Sequence, residues 1–307
     1  MGACARICRA VGAVAVFLCA AGVAGAEVPS PQSGGAGVKF VEANGLRVAY
    51  TEHGSGRAVV LLHGGGLSAA MWAKQIPALE KEYRVIAPDT RGHGKTDNPG
   101  HEFSYRLLAD DVVAFCRALG VEKPVLMGYS DGGAVALSVG VFHPDFAKAL
   151  ILGGLVPPRE QADFDHYFAG MKEFYAPVTK RTALTEADLD AMYDAAPEAW
   201  DAVAKMHAKP GRSDYWRTLM QDVWEAWNTP QAYSYTLEQL QNVKIPVLVF
   251  LGDRDQFFRP EGALRLCRDL PQAELAVIPG AHGVFRARPE LFNAVVLDFL
   301  KRLHEGK

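Results

Sequence analysis

The sequence predicts an α/β domain on a sheet that is antiparallel where it begins and parallel afterwards. Two observations predict this class. Three strand-like runs open the domain with no helix between them: Lys39–Glu42, Arg47–Glu52 and Ala58–Leu62. Beyond them, apolar strand-like runs alternate with stretches of helical periodicity, the pattern of βα units on a parallel sheet. A third observation marks one strand-to-helix turn as special. It carries a serine between glycines, Gly128-Tyr129-Ser130-Asp131-Gly132-Gly133.

The chain opens with Met1–Arg9, which holds two arginines and no acid, followed by an apolar stretch from Ala10 to about Ala24 and then Ala24-Gly25-Ala26. A positive start, a short apolar run and an A-x-A site read as an export signal over residues 1–26, cut after Ala26. The alternative is an uncleaved anchor, but the run is short and alanine-rich, and a bilayer needs about 20 predominantly apolar residues. Cys4, Cys8 and Cys19 leave with the signal. Cys116 and Cys267, each in a predicted helix, are expected as buried, unpaired thiols. Residues 27–37 (EVPSPQSGGAG) read as a flexible lead-in.

From residue 38 the elements follow in order. Gly54-Ser55-Gly56 is expected to turn a hairpin between the second and third strands. Later strands are predicted at Arg84–Pro88, Pro124–Met127, Ala149–Leu152, Pro246–Leu251 and Glu274–Ile278. Helices are predicted at Ala70–Lys81, Tyr105–Leu119, Asp131–Val141, Glu261–Leu270 and Pro289–His304. Residues 156–238 break the rhythm, with helical runs, no strand-like run, and four of the five tryptophans. Eight Lys/Arg stand against fourteen Asp/Glu there, a net −6. This stretch reads as a helical cap inserted into a core formed by residues 38–155 and 239–307. Its aromatics either line a substrate pocket or make the cap's own small core.

With 22% charged residues and a net charge of −3, nothing points to nucleic acid. No segment after the signal is apolar enough for a span, so no stable membrane association is expected once the signal is removed. No zinc-type cysteine spacing occurs, and neither metal nor cofactor is expected.

The chemistry points to acyl transfer, which needs a nucleophile, a base, a group that orients the base, and donors for the oxyanion. Ser130 is the nucleophile candidate, because glycines beside a serine on a strained strand-to-helix turn keep neighbouring chain from clashing. Val247–Asp255 is a buried strand ending in acids. Asp253 or Asp255 can orient a histidine; Asp255, further past the strand end, is preferred, with Asp253 capping the turn. Glu274–His282 is another strand ending in a turn, and His282 is the base candidate. Val59–Gly66 runs from a buried strand into His63-Gly64-Gly65-Gly66. The amides of Gly65 and Asp131 are the expected oxyanion donors, with Gly66 as the alternative to Gly65 and His63 bracing the loop. Gly66, Trp72 and Tyr129 are expected on the substrate wall. Asp89–Asp97 (DTRGHGKTD) is read as a buttressing turn.

These motifs, in this order over residues 38–305, resemble the α/β-hydrolase fold superfamily of serine hydrolases with a helical cap. The resemblance implies an α/β-hydrolase fold: an eight-stranded, mostly parallel sheet flanked by helices, with the site at the carboxyl ends of the strands. Serine at position 130 sets the chain apart from members with an aspartate nucleophile. Pro279-Gly280-Ala281-His282 is one residue shorter than the P-G-x-x-H loop of many relatives. Asp131 resembles the elbow of valacyclovir hydrolase-like esterases, which suggests an amine-bearing substrate; alternatively its carboxylate serves only local hydrogen bonding. The expected function is an exported, periplasmic or secreted, ester hydrolase acting on a small molecule through Ser130, His282 and Asp255. Lactonase, cofactor-free perhydrolase and carbon–carbon hydrolase activities are alternatives on the same triad, and a non-catalytic ligand-binding protein is the alternative of another class.

Overall fold

The computed structural model describes residues 37–175, 183–229 and 233–305. The expected export signal and all of the lead-in except Gly37 lie outside the described residues. Eight strands form one sheet: β1 (Lys39–Ala43), β2 (Leu46–His53), β3 (Arg57–Leu62), β4 (Tyr83–Pro88), β5 (Val125–Tyr129), β6 (Ala149–Gly153), β7 (Val247–Gly252) and β8 (Ala273–Ile278). Their order is β1-β2-β4-β3-β5-β6-β7-β8, with β1, β2 and β4 antiparallel neighbours and every later pair parallel.

The central strands β5, β6 and β7 are buried along their whole length, and they read as continuous apolar runs because both sheet faces are covered. Alternate side chains feed two cores. Val60, Leu62 and Leu126 face one, Val59, Leu61 and Met127 the other. A 3₁₀ turn (Ala69–Trp72) precedes α1 (Ile76–Leu79), α2 (Tyr105–Ala118) and α3 (Asp131–Phe142). Between β6 and β7 come α4 (Gln161–Phe174), α5 (Glu186–Ala195), α6 (Pro197–His207), α7 (Tyr215–Trp227) and α8 (Leu237–Gln241). The chain closes with α9 (Pro260–Asp269), α10 (Val284–Ala287) and α11 (Pro289–Glu305). Helices α2, α3 and α9 cover the first face, and α1, α10 and α11 the second. Buried residues of α5 to α7 join the first core.

Two sequence expectations are corrected. The second and third strands do not pair, because β4 lies between β2 and β3. Gly54 and Gly56 do take left-handed conformations (φ +65° and +97°), but the turn passes β4, where a Cβ on Gly54 would overlap the carbonyls of Glu80 and Tyr83. The actual hairpin joins β1 and β2 through Asn44 (φ 49°) and Gly45 (φ 73°), the Asn-Gly signal of a type I′ turn. The helix expected over Ala70–Lys81 is broken into the 3₁₀ turn and α1. Pro77 has no N–H to continue a helix from the preceding turn.

Cys116 is buried and Cys267 partly so, and both are free. Burial pushes the Cys116 thiol up to about 12. No described helix is long and apolar enough to cross a membrane.

Candidate active site

Ser130 sits at the carboxyl end of β5 with φ 56° and ψ −121°, a conformation most side chains avoid. The crowding around it explains its glycine neighbours. A Cβ on Gly128 would overlap the carbonyl of Gly132, and one on Gly132 would overlap that of Leu62 at the end of β3. The turn is held by Ser130 N–H donating to Gly153 (2.8 Å) and Ala134 N–H donating to Ser130 (3.0 Å). Helix α3 starts at Asp131, so its first amides and dipole end lie at the serine.

The acid and base come from the loops after β7 and β8. His282 Nδ1 lies 2.7 Å from Asp255 Oδ2, and both residues are buried. The other oxygen, Asp255 Oδ1, accepts from the backbone N–H groups of Phe257 (2.9 Å) and Phe258 (3.0 Å), which leaves the carboxylate one orientation. Asp253 does not reach His282; its carboxylate accepts from Gly280 N–H at 2.7 Å and caps the turn. His282 is further held by Gln256 Oε1 on its N–H (3.2 Å), by the Tyr129 hydroxyl on its carbonyl, and by the Phe257 ring 4.9 Å away. The shortened loop thus still carries the ring to Asp255. Ser130 and His282 border one cleft, together with Gly65 and Asp131.

The glycine loop after β3 passes the serine closely, since a Cβ on Gly64 would lie 3.4 Å from Ser130 Cβ. The N–H groups of Gly65 and Asp131 have no hydrogen-bond partner among the described residues. Gly66 N–H, the alternative donor, is engaged by His93 Nε2 at 3.1 Å. Gly66 does not border the cleft.

The remaining substrate-wall expectations are corrected as well. Trp72 is fully buried in the second core, with its ring 5.6 Å from Phe285. Tyr129 alternates with Ser130 along the chain and points into that same core, 4.4 Å from the Phe285 ring, where it braces His282. Neither borders the cleft.

The wall is instead made by Tyr105, Leu155, Tyr167, Met171, Tyr175, Trp227, Tyr233, Phe257 and Phe258. Both readings of the aromatics between β6 and β7 hold for different residues. Tyr167, Tyr175, Trp227 and Tyr233 line the cleft, while Trp200 and Trp216 pack on each other at 4.8 Å.

The Asp131 side chain does not bond local backbone. Its Oδ1 accepts from the Tyr105 hydroxyl (2.8 Å) and its Oδ2 from Trp227 Nε1 (2.7 Å). Burial raises the carboxyl above the usual range, opposed by those two donors. Room for this carboxylate explains Gly65, where a Cβ would overlap Asp131 Oδ2 and lie 2.5 Å from Trp227 Cζ2. The Asp89–Asp97 turn carries a buttress. Asp89 accepts from the N–H groups of Ala69 and Lys95 (2.9 Å each), and Arg91 forms a buried bidentate pair with Asp111 (2.7 and 2.8 Å). Sequence reasoning missed Tyr105, Trp227, His93 and His207 as supports of the site, and only His93, inside a recognised motif, carried a local signal. Among the described residues no cluster of His, Cys, Asp or Glu is arranged to hold a metal.

A strained serine beside a buried histidine–carboxylate pair, at the carboxyl edge of a mostly parallel sheet covered on both faces, is the architecture of a hydrolase. Residues 57–287 match the alpha/beta hydrolase fold, and the chain belongs to that family. It is 30% identical over 242 residues to the "Putative carbamate hydrolase RutD" of a Caulobacter species, covering 76% of this chain and 86% of the relative. It is 25% identical over 237 residues to 3-oxoadipate enol-lactonase 2 of Acinetobacter baylyi, covering 76% and 85%. The meta-cleavage product hydrolase of Pseudomonas fluorescens superposes with a TM-score of 0.69 at 24% identity, over 86% of this chain and 97% of that one, a likeness of fold.

Proposed function

We propose that this hydrolase is an exported enzyme that cleaves carboxylic esters through an acyl-enzyme. The observation that supports the reading most directly is the 2.7 Å contact of His282 Nδ1 with Asp255, on a ring that shares the cleft with Ser130. The Ser130 hydroxyl attacks the ester carbonyl while His282 Nε2 takes its proton. Asp255 holds the Nδ1–H tautomer and stabilises the imidazolium. The negative oxygen of the tetrahedral intermediate rests on the N–H groups of Gly65 and Asp131, donors already oriented before reaction. His282 then returns the proton to the leaving alcohol. Water, deprotonated by the same ring, attacks the acyl-serine and releases the acid. No step calls for a cofactor. Residues 1–26, read as an export signal, support a periplasmic or extracellular location for the mature chain, with a small ester as its substrate.

The aromatic wall suits an apolar acyl or aryl group. Asp131 has no cationic partner among the described residues, so its carboxylate, with free lone pairs, is available to an ammonium group. Lactones, which are internal esters, are the second reading, favoured by the enol-lactonase relative.

The test is hydrolysis of neutral acyl esters, α-amino-acyl esters and lactones by protein beginning at Glu27, with Ser130→Ala as control. Turnover lost in the control is the expected result. Preference for amino-acyl esters would give Asp131 the anchoring role, preference for neutral esters a structural one. No turnover of any ester or lactone would overturn the proposal.

A further inference from the structure

His63, His93 and His207 are buried beside the glycine loop, and none moves a proton in the reaction above. Their rings form a row, with centroids 4.9 Å apart for His63 and His93 and 5.8 Å for His93 and His207. They come from separate places: the end of β3, the turn after β4, and the last residue of α6.

Each ring pins one of three consecutive peptide planes. His63 Nδ1 donates to the Gly64 carbonyl (2.8 Å), which fixes the plane that also contains Gly65 N–H. Gly66 N–H donates to His93 Nε2 (3.1 Å), fixing the Gly65–Gly66 plane. His207 Nε2 donates to the Gly66 carbonyl (3.1 Å), fixing the Gly66–Leu67 plane. The opposite nitrogens set the tautomers. His63 Nε2 accepts from Thr90 N–H (3.0 Å), His93 Nδ1 donates to the Arg91 carbonyl (2.9 Å), and His207 Nδ1 accepts from Gly94 N–H (2.8 Å). Every acceptor nitrogen faces a backbone N–H, so the row works only while its rings are neutral.

Burial holds all three below the ordinary histidine range. Among charged neighbours, Lys209 donates to the carbonyls of Gly94 (2.8 Å) and Thr96 (2.6 Å), and its positive charge adds to the effect on His93 and His207. Asp89 acts on His63 in the opposite sense.

A run of three glycines has the most backbone freedom to lose, and Gly66 stands at φ +67°. Such a loop holds one orientation only if something outside it does the holding. His63 and His93 belong to the core, but His207 reaches in from the helices between β6 and β7. We propose that His207 is a positioning residue. By bridging Gly66 and Gly94 it fixes the exit of the loop whose Gly65 N–H His63 aims at the oxyanion, so the loop that carries this donor is held from both sides only while α6 is docked. The inference rests on the ester-hydrolase reading and adds to it a link between helix docking and oxyanion stabilisation.

The experiment compares His207→Asn, which keeps an acceptor for Gly94 N–H but is too short for Gly66, with His207→Gln, whose amide spans both. Both are assayed as chains beginning at Glu27 with p-nitrophenyl acetate, and hydrogen exchange is followed at the loop amides. A misplaced catalytic group costs up to about 100-fold. The expected result for His207→Asn is a kcat lower by about 10- to 100-fold, KM within about two-fold, and faster exchange at Leu67, whose N–H shares the plane His207 pins and donates to the Gly64 carbonyl (3.2 Å). His207→Gln should regain most of the kcat. Wild-type kcat in His207→Asn, or a change confined to KM, would overturn the proposal. If the wild type itself turns over no ester, the ester reading fails separately. Exchange then decides for His207, with unaltered Leu67 protection in His207→Asn counting against it.

Discussion

Exchanging His207 for glutamine should flatten the acid side of the stability profile, by an amount the burial of this ring allows one to work out. Burial pushes the His207 imidazole from 6.5 down to about 3. Between those values the unfolded chain takes a proton at this site and the native chain does not. Stability therefore falls as pH falls, from the ordinary histidine value down to about 3, and is level below that. Each pH unit in the window is worth about 1.4 kcal/mol for one such group, so at pH 4, about 2.5 units below the ordinary histidine value, the loss from His207 alone slightly exceeds about 3 kcal/mol. His63 and His93 act in the same direction and remain in the variant. Glutamine does not titrate, so His207→Gln should lose stability between pH 6 and 4 less steeply than the wild type, by up to about 1.4 kcal/mol per pH unit. Urea titrations at pH 7, 6, 5 and 4 measure the slope directly. Equal slopes in the two proteins would mean that His207 is not buried neutral, and the tautomer argument for the row of histidines would fall with it.

Other perturbations test neighbouring parts of the site. Gly65→Ala puts a methyl onto Asp131 Oδ2 and against Trp227, so ester turnover should drop by at least about 100-fold, with a lower melting temperature; wild-type kinetics would show that the loop yields more easily than its contacts imply. Asp255→Asn turns an amide N–H toward His282 Nδ1 and favours the wrong tautomer, so kcat should fall by roughly 10⁴ while the fold survives on the Phe257 and Phe258 N–H bonds. Trp227→Phe leaves Asp131 Oδ2 without its donor at a cost of about 1–3 kcal/mol, which a chemical denaturation curve would register.

Much of this architecture could be read along the chain because it is enforced locally. The central strands are apolar throughout, since each is covered on two faces. Gly128, Ser130 and Gly132 announce the elbow because the backbone there leaves no room for a Cβ on either side of the serine. Local pattern failed where pairing was in question. Gly54-Ser55-Gly56 has the composition of a hairpin turn, yet the partner of β2 is β4, a strand about thirty residues on. Trp72 and Tyr129 failed for a related reason. Tyr129 directly precedes Ser130 on β5, where successive side chains point to opposite faces, and Trp72 ends the 3₁₀ turn beyond the glycine loop; both pack into the second core.

The sequence by itself determined the order of strands along the chain, the strained serine, the acid and base at the ends of two later strands, and the glycine loop. All of these follow from sterics and burial acting over a few residues. Only the tertiary structure decided who supports them. Asp131 is held by Tyr105, 26 residues upstream, and by Trp227, 96 residues downstream, and Gly66 is held by His207 at a separation of 141. No spacing rule connects such positions. Each helix carries its residue to the site through the way its apolar face packs against elements far away in the chain.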